Sequence, residues 1–140
     1  MKRSFGLNLM EKAMIRKDWS IASTSAQIHA FTGNDASLVL DKAGRVLYVI
    51  LGAAATSGYD RQHVDFRIVL GAINALHDQA GNPVLSELIR GSIIAGLYAA
   101  ERIRASLNED QIFKMACDLE MKLRRRGGVV LADFMELIGN

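Results

Sequence analysis

The sequence is short of cysteine, of net charge and of long apolar runs, and each shortage argues against a class of protein. Its single cysteine, Cys117, cannot form a disulfide within the chain, so a disulfide-stapled secreted domain is not expected and a reducing compartment fits best. The formal net charge of +2 is far from the basic footprint of strong nucleic-acid binders. The most apolar run, Val46–Ala55, is too short for the roughly 20 residues of a membrane-spanning helix. We therefore expect a cytoplasmic protein without a membrane segment.

What the sequence does contain is a large apolar fraction. Half of the 140 residues are hydrophobic and 23% are charged, which is close to an ordinary globular chain. A chain of this length buries roughly two thirds of its unfolded surface, so it needs no metal or disulfide to hold its core. The composition predicts one domain over residues 1–140. Its first 17 residues hold five basic side chains and one acidic one, a basic N-terminal segment that is free to fray.

The apolar residues recur at helical spacing in several segments that begin at capping residues and end at glycine or proline. The predicted helices cover residues 9–17, 34–56, 62–79, 84–107, 109–126 and 131–138. Residues 18–33 are rich in serine and threonine and show no clean apolar period, which predicts a loop with a short helix at 25–31. The pattern therefore predicts an all-α bundle of five or six helices.

An alternative stays open for residues 38–51. These residues also fit a β-hairpin with Gly44 in the left-handed conformation, which would make a small α/β domain. The segment 46–51 does not alternate between apolar and polar residues, however, and three alanines follow it. A helix is therefore the favoured interpretation.

Small side chains form a seam along the predicted helix 84–107, at a spacing of three and four residues. Such a seam lets a second helix approach closely, and the contact has to outweigh the cost of glycine in a helix, up to about 1 kcal/mol each. The last predicted helix adds a short apolar stripe. The candidate interface residues are Gly91, Ala95, Gly96, Ala99, Phe134, Leu137 and Ile138.

Basic residues near both ends of the chain are the candidates for contact with nucleic acid. They are Arg16, Lys17, Lys122, Arg124, Arg125 and Arg126. A cationic cluster at the end of a helix commonly does no more than complement the helix dipole. Glu109 and Asp110 would also stand at the start of any recognition helix formed by residues 109–126, where they would repel phosphate.

A polar stripe runs along the predicted helix 62–79. Arg67, Asn74 and Asp78 lie on one side of that helix, and the stripe forms a polar pocket if it faces Asp41 and Arg45 of the preceding helix. The simpler interpretation is a solvated side of the bundle, which we favour.

The sequence predicts no catalytic residue, metal site or cofactor. His63 and His77 lie 14 positions apart on one predicted helix, about 21 Å along its axis, and neither has neighbours at ligand spacing. Cys117 stands beside Asp118 in the middle of a helix, where neither a cation nor a helix N-terminus activates the thiol, so it is predicted to be a buried structural thiol.

These patterns predict a small non-enzymatic protein that acts by protein–protein contact. We expect a homodimer with a regulatory or adaptor role, because narrow polar sides leave apolar surface for a second copy to cover. The alternative is a nucleic-acid-binding regulator that uses the basic N- and C-terminal segments.

Overall fold

The computed structural model describes residues 6–139, and it folds them into six α-helices. The helices are α1 (Leu9–Thr32), α2 (Ala36–Thr56), α3 (Val64–Gln79), α4 (Glu87–Arg104), α5 (Glu109–Arg126) and α6 (Leu131–Ile138). The predicted all-α bundle is confirmed, and residues 38–51 lie inside α2 rather than in a hairpin. Residues 1–5, which include Lys2 and Arg3 of the basic N-terminal segment, lie outside the described residues.

Residues 18–33 were predicted to be a loop with a short helix at 25–31. The helix at 25–31 is present, but the loop before it is wrong, because α1 continues without a break from Leu9 to Thr32. The helix begins with a capping box. The Asn8 side chain accepts a hydrogen bond from the Glu11 backbone at 2.8 Å, and the Glu11 carboxylate accepts one from the Asn8 backbone at 2.9 Å. Trp19, Ser23, Ala26 and Ala30 are buried on the inner side of the helix.

The central element of the bundle is α2, which contacts each of the other five helices. Its residues 46–54 are all buried, as their lack of charged side chains requires. Gly52 lets α5 approach closely: a Cβ atom there would lie 2.2 Å from the Met115 methyl carbon. The most apolar run of the sequence is therefore the axis around which the other helices pack.

The closest helix pair is α3 and α4. A Cβ atom at Gly96 would lie 2.2 Å from the Cβ atom of Ala72, so the small-residue seam of α4 receives α3. The loop between these helices is held by the buried Gln79 side chain. Its amide donates to the carbonyls of Asn82 and Val84 at 3.1 and 2.9 Å, and its oxygen accepts from the Ser86 backbone at 3.2 Å.

The last two helices are joined at a glycine and a buried carboxylate. Gly127 ends α5 with a φ of 77°, a left-handed conformation that suits glycine. Asp133, which is 1% exposed, accepts hydrogen bonds from the Arg126 guanidinium at 2.7 Å and from the Val130 backbone at 2.8 Å. These contacts place α6 against α2, where Phe134 meets the Tyr48 ring edge to face at 5.7 Å.

Candidate interaction surface

The outward side of α1 carries a line of large apolar side chains exposed to solvent. Met10, Met14, Ile21, Ile28 and Phe31 are 74%, 59%, 59%, 55% and 52% exposed. We call these five residues the α1 outer face. They lie about half a helical turn away from the buried side of α1, so this helix is apolar on two opposite sides.

The α1 outer face has the spacing of a helix-packing seam. Positions 10, 14, 17, 21, 24, 28 and 31 follow one another at alternating intervals of four and three residues, the heptad pattern of helices that pack along their length. Lys17 and Thr24 are the polar members of this series. A helix surface with this spacing is suited to pack against another helix along its length.

The outward side of α4 continues this surface. The two helices run antiparallel: Glu101 accepts a hydrogen bond from the Trp19 indole at 3.1 Å, while Arg90 donates to the carbonyl of Ala30 at 2.7 Å. At the junction the rings of Phe31 and Tyr98 lie 6.1 Å apart, measured between centroids.

Four residues of α4 face outward beside the α1 outer face. Leu88 is 82% exposed and Tyr98 43% exposed, and Gly91 and Ala95 are exposed between them. The α1 outer face and these four residues together are called the α1–α4 face. It is a continuous apolar surface formed by two adjacent helices.

The predicted interface residues divide between this surface and the interior. Gly91 and Ala95 lie on the α1–α4 face, and a Cβ atom at Gly91 would meet nothing within 4 Å. Gly96, Ala99 and Phe134 are instead buried among the chain's own helices. Leu137 and Ile138 are partly buried against the core.

Arg67, Asn74 and Asp78 are the candidates either for a polar pocket or for a solvated side of the bundle, the interpretation that the sequence favours. All three residues are exposed on the outer side of α3, and none of them lines a described cavity. The stripe is a solvated side of the bundle, and it points away from the pair formed by Asp41 and Arg45.

Two clefts open on the sides of α2 instead. The larger has a volume of about 750 Å³ and lies between the end of α3 and the segment that joins α5 to α6. Its apolar floor consists of Leu40, Ile73, Leu76, Leu123, Val129, Leu131 and Phe134. The smaller, of about 390 Å³, lies between α1, α2 and α5 and is lined in part by Trp19. Arg45 lines both clefts and pairs with Asp41 at 3.1 Å.

The structure does not bring the candidate nucleic-acid residues together. Arg16 of α1 lies near the start of α5, 3.4 Å from Glu109. Arg124, Arg125 and Arg126 lie at the far end of α5. The 18 residues of α5 span about 27 Å. Lys17 is exposed within the heptad series of α1.

Carboxylates neutralise several of these cations. Besides the Arg16 pair, Lys122 lies 3.7 Å from Glu136 and Arg126 lies 2.7 Å from Asp133. At the start of α5 a hydrogen bond from the Arg104 guanidinium, 2.8 Å long, lowers the pKa of Glu109. The carboxylate therefore stays charged and offsets the nearby Arg16.

The Tyr48 hydroxyl is buried and is paired with a carboxylate of α5. The Tyr48 hydroxyl donates to the Asp118 carboxylate, and burial together with this hydrogen bond raises the pKa of Tyr48 well above its usual range. The hydroxyl therefore stays protonated and cannot serve as a base near neutral pH. Cys117 is exposed, so the prediction of a buried thiol is wrong: this position lies on the outer side of α5, away from the Ile112, Met115 and Leu119 stripe.

Within residues 6–139 no group of three histidine, cysteine, aspartate or glutamate side chains is arranged to hold a metal ion. None of the helices in this part of the chain combines the length and the apolar character needed to span a bilayer.

The α1 outer face was not predicted from the sequence, because residues 18–33 were predicted to be a loop with a short helix at 25–31. A search at heptad spacing, extended through the serine and threonine positions, would have found it. Comparison of the chain with known protein families, with curated proteins and with solved structures found no match.

Proposed function

We propose that this protein acts by protein–protein contact and forms a homodimer through the α1–α4 face. The observation that carries the proposal is the line of five exposed apolar side chains between Met10 and Phe31, joined at Tyr98 to the outward side of α4. Monomeric soluble proteins rarely expose an apolar surface of this extent, and large exposed apolar surfaces mark contact sites.

The size of the face supports this function. The helices α1 and α4 have 24 and 18 residues. With a rise of 1.5 Å per residue and a width of about 10 Å, their outward sides cover about 600 Å². Stable complexes bury about 600–1,000 Å² on each partner. The outward sides of the two whole helices therefore reach the lower limit for a stable dimer.

We further propose a regulatory or adaptor role in the cytoplasm, without enzymatic activity. The exposed and unpaired Cys117 supports a reducing compartment, where such a thiol persists. The pairing of the buried polar groups with other side chains supports the proposal that the protein is not an enzyme. Tyr48 pairs with Asp118, and Asp133 pairs with Arg126.

The experiment is a measurement of mass in solution at micromolar concentration, by light scattering or sedimentation. We expect the wild-type chain at twice its 15.3 kDa. Ile21→Glu should give a folded monomer, because the dimer interface would then bury two unpaired carboxylates. Met121→Glu is the matched control: Met121 is 53% exposed in the middle of α5, outside the face, and this variant should remain a dimer.

Two results would contradict the proposal. A wild-type chain that stays monomeric across the micromolar range would remove self-association. A dimer that survives Ile21→Glu would show that another surface forms it. Circular dichroism of each variant separates loss of the dimer from loss of the fold.

A further inference from the structure

We propose that two copies of the chain pair through antiparallel α1 helices, with the two-fold axis passing beside Ile21. This inference rests on the proposed function, and it specifies how the second copy is oriented. Three features of the described residues lead to it: the spacing of the α1 outer face about Ile21, the position of Lys17, and the side on which α4 lies.

The α1 outer face has the symmetry that a two-fold axis at Ile21 requires. Met14 and Ile28 stand seven residues before and seven residues after Ile21, and all three side chains are more than half exposed. When a second α1 is reversed about Ile21, its Ile28 lies level with Met14 of the first copy, and the two Ile21 side chains meet. Met14, Ile21 and Ile28 therefore each face a large apolar side chain of the second copy, as an isologous interface demands.

Lys17 distinguishes the antiparallel from the parallel pairing. In a parallel, in-register pair, Lys17 would face Lys17 of the second copy within the seam, and two like charges would be desolvated together. In the antiparallel pair it lies level with Ser25 of the second copy, an uncharged group that can accept a hydrogen bond. The antiparallel pair therefore avoids the repulsion between the two Lys17 side chains.

The position of α4 favours the same orientation. An axis perpendicular to α1 keeps the α4 helices of both copies on the same side of the α1 pair. Tyr98 and Leu88 of both copies then belong to one layer of contact. An axis parallel to α1 would place the two α4 helices on opposite sides, and their outward apolar residues would not stack on each other. The antiparallel pair therefore covers more of the α1–α4 face.

Disulfide trapping in the full chain tests this arrangement. In a Cys117→Ser background, Ile21→Cys should form a covalent dimer when the thiols are oxidised with diamide. Met14→Cys alone should not, because the two copies of position 14 lie about 21 Å apart along an antiparallel pair. An equimolar mixture of Met14→Cys and Ile28→Cys should link, because these positions are level and within the reach of a disulfide.

A second measurement does not depend on disulfide geometry. In a parallel pair, Lys17→Glu mixed with the wild-type chain would form heterodimers in preference to either homodimer, because opposite charges would meet. In the antiparallel pair we expect a statistical mixture, measured by native mass spectrometry.

The possible outcomes separate the two proposals. A wild-type dimer with self-linking Met14→Cys, or with preferred Lys17→Glu heterodimers, overturns the antiparallel pairing and leaves the proposed function intact. A wild-type dimer in which neither Ile21→Cys nor the mixture links also overturns it. A wild-type chain that is monomeric overturns both.

Discussion

Gly96 and Gly71 both lie in the interior of a helix, yet their surroundings are opposite. A Cβ atom at Gly96 would lie 2.2 Å from that of Ala72, whereas a Cβ atom at Gly71 would meet nothing within 4 Å. The first glycine is required by the contact between α3 and α4. The second contributes only backbone freedom, which weakens a helix.

Alanine at these two positions should therefore have effects of opposite sign. Gly96→Ala forces α3 and α4 apart, and overpacking of this kind typically costs about 1–3 kcal/mol, more than the gain in helix propensity of up to about 1 kcal/mol. Gly71→Ala brings the gain in helix propensity without any overpacking, so it should raise the free energy of unfolding by about 0.5–1 kcal/mol. Urea unfolding of both variants gives the comparison. Increased stability of Gly96→Ala would contradict the close packing.

Glu109 links stability to pH. The hydrogen bond from Arg104 lowers the pKa of Glu109 in the folded state. Its contribution is therefore fully present above the unfolded-state value of about 4.3 and is lost as the pH falls through the lower, folded-state pKa. Glu109→Gln should lower the free energy of unfolding at pH 7, and the difference from wild type should shrink at acidic pH. Equal differences at pH 7 and pH 3 would exclude this linkage.

At the level of the elements, α1 shows why part of the fold was not predicted. Most of the other helices bury one main side, and their apolar residues repeat with one helical period that the sequence displays. In α1 the buried residues Trp19, Ala26 and Ala30 and the exposed residues Ile21 and Ile28 belong to opposite sides. Two overlapping stripes obscure a single period.

The same overlap hid the candidate site. The interval 18–33 has serine and threonine at several positions, and their low helix propensity argued for a loop. Packing of Trp19 and Ser23 against Glu101 outweighs that propensity. The start of α1 at Leu9 and the end of α5 at Arg126, in contrast, depend on local chemistry at Asn8 and Gly127, and the sequence predicted both of these bounds.

The loop between α3 and α4 depends on a single buried amide. Gln79→Ala would leave the carbonyls of Asn82 and Val84 and the backbone N–H of Ser86 without their partner. Unsatisfied groups cost about 1–3 kcal/mol each, and water will reach some of them in a surface loop. We expect Gln79→Ala to lower the free energy of unfolding by about 2–4 kcal/mol.

Asn74→Ala is the control for this loop. Asn74 lies on the same helix and is exposed, so its removal should change stability by no more than about 0.5 kcal/mol. Urea unfolding of both variants gives the comparison. If the two variants behaved alike, the Gln79 amide would not be what holds the loop.

For the molecule as a whole, the arrangement of charge matters more than its total. The net charge of +2 is spread over a surface where cations lie at both ends of α5 and several face carboxylates. Seven large apolar side chains that are exposed to solvent, in contrast, lie together on the α1–α4 face. This distribution favours the proposed apolar contact over contact with a phosphate backbone.

This arrangement predicts weak binding to nucleic acid. A duplex is held by several cations acting together, and each contact adds to the salt dependence. In this protein Arg124 and Arg125 stand about 23 Å along α5 from Glu109, which pairs with Arg16 and is followed by Asp110. Fluorescence anisotropy with mixed-sequence duplex DNA should show no tight binding near physiological salt, and weak binding at low salt.

Replacing both Arg124 and Arg125 with alanine tests the same prediction by removing the cations that would contact phosphate. The double variant should weaken the low-salt binding to all sequences alike and flatten its salt dependence, because phosphate contacts carry no sequence information. The control is Arg67→Ala, an exposed arginine of α3 outside both clusters, which should leave the salt dependence closer to that of wild type. Tight, sequence-selective binding at physiological salt that the double variant abolishes would contradict the prediction. It would make the C-terminal end of α5, rather than the α1–α4 face, the functional surface.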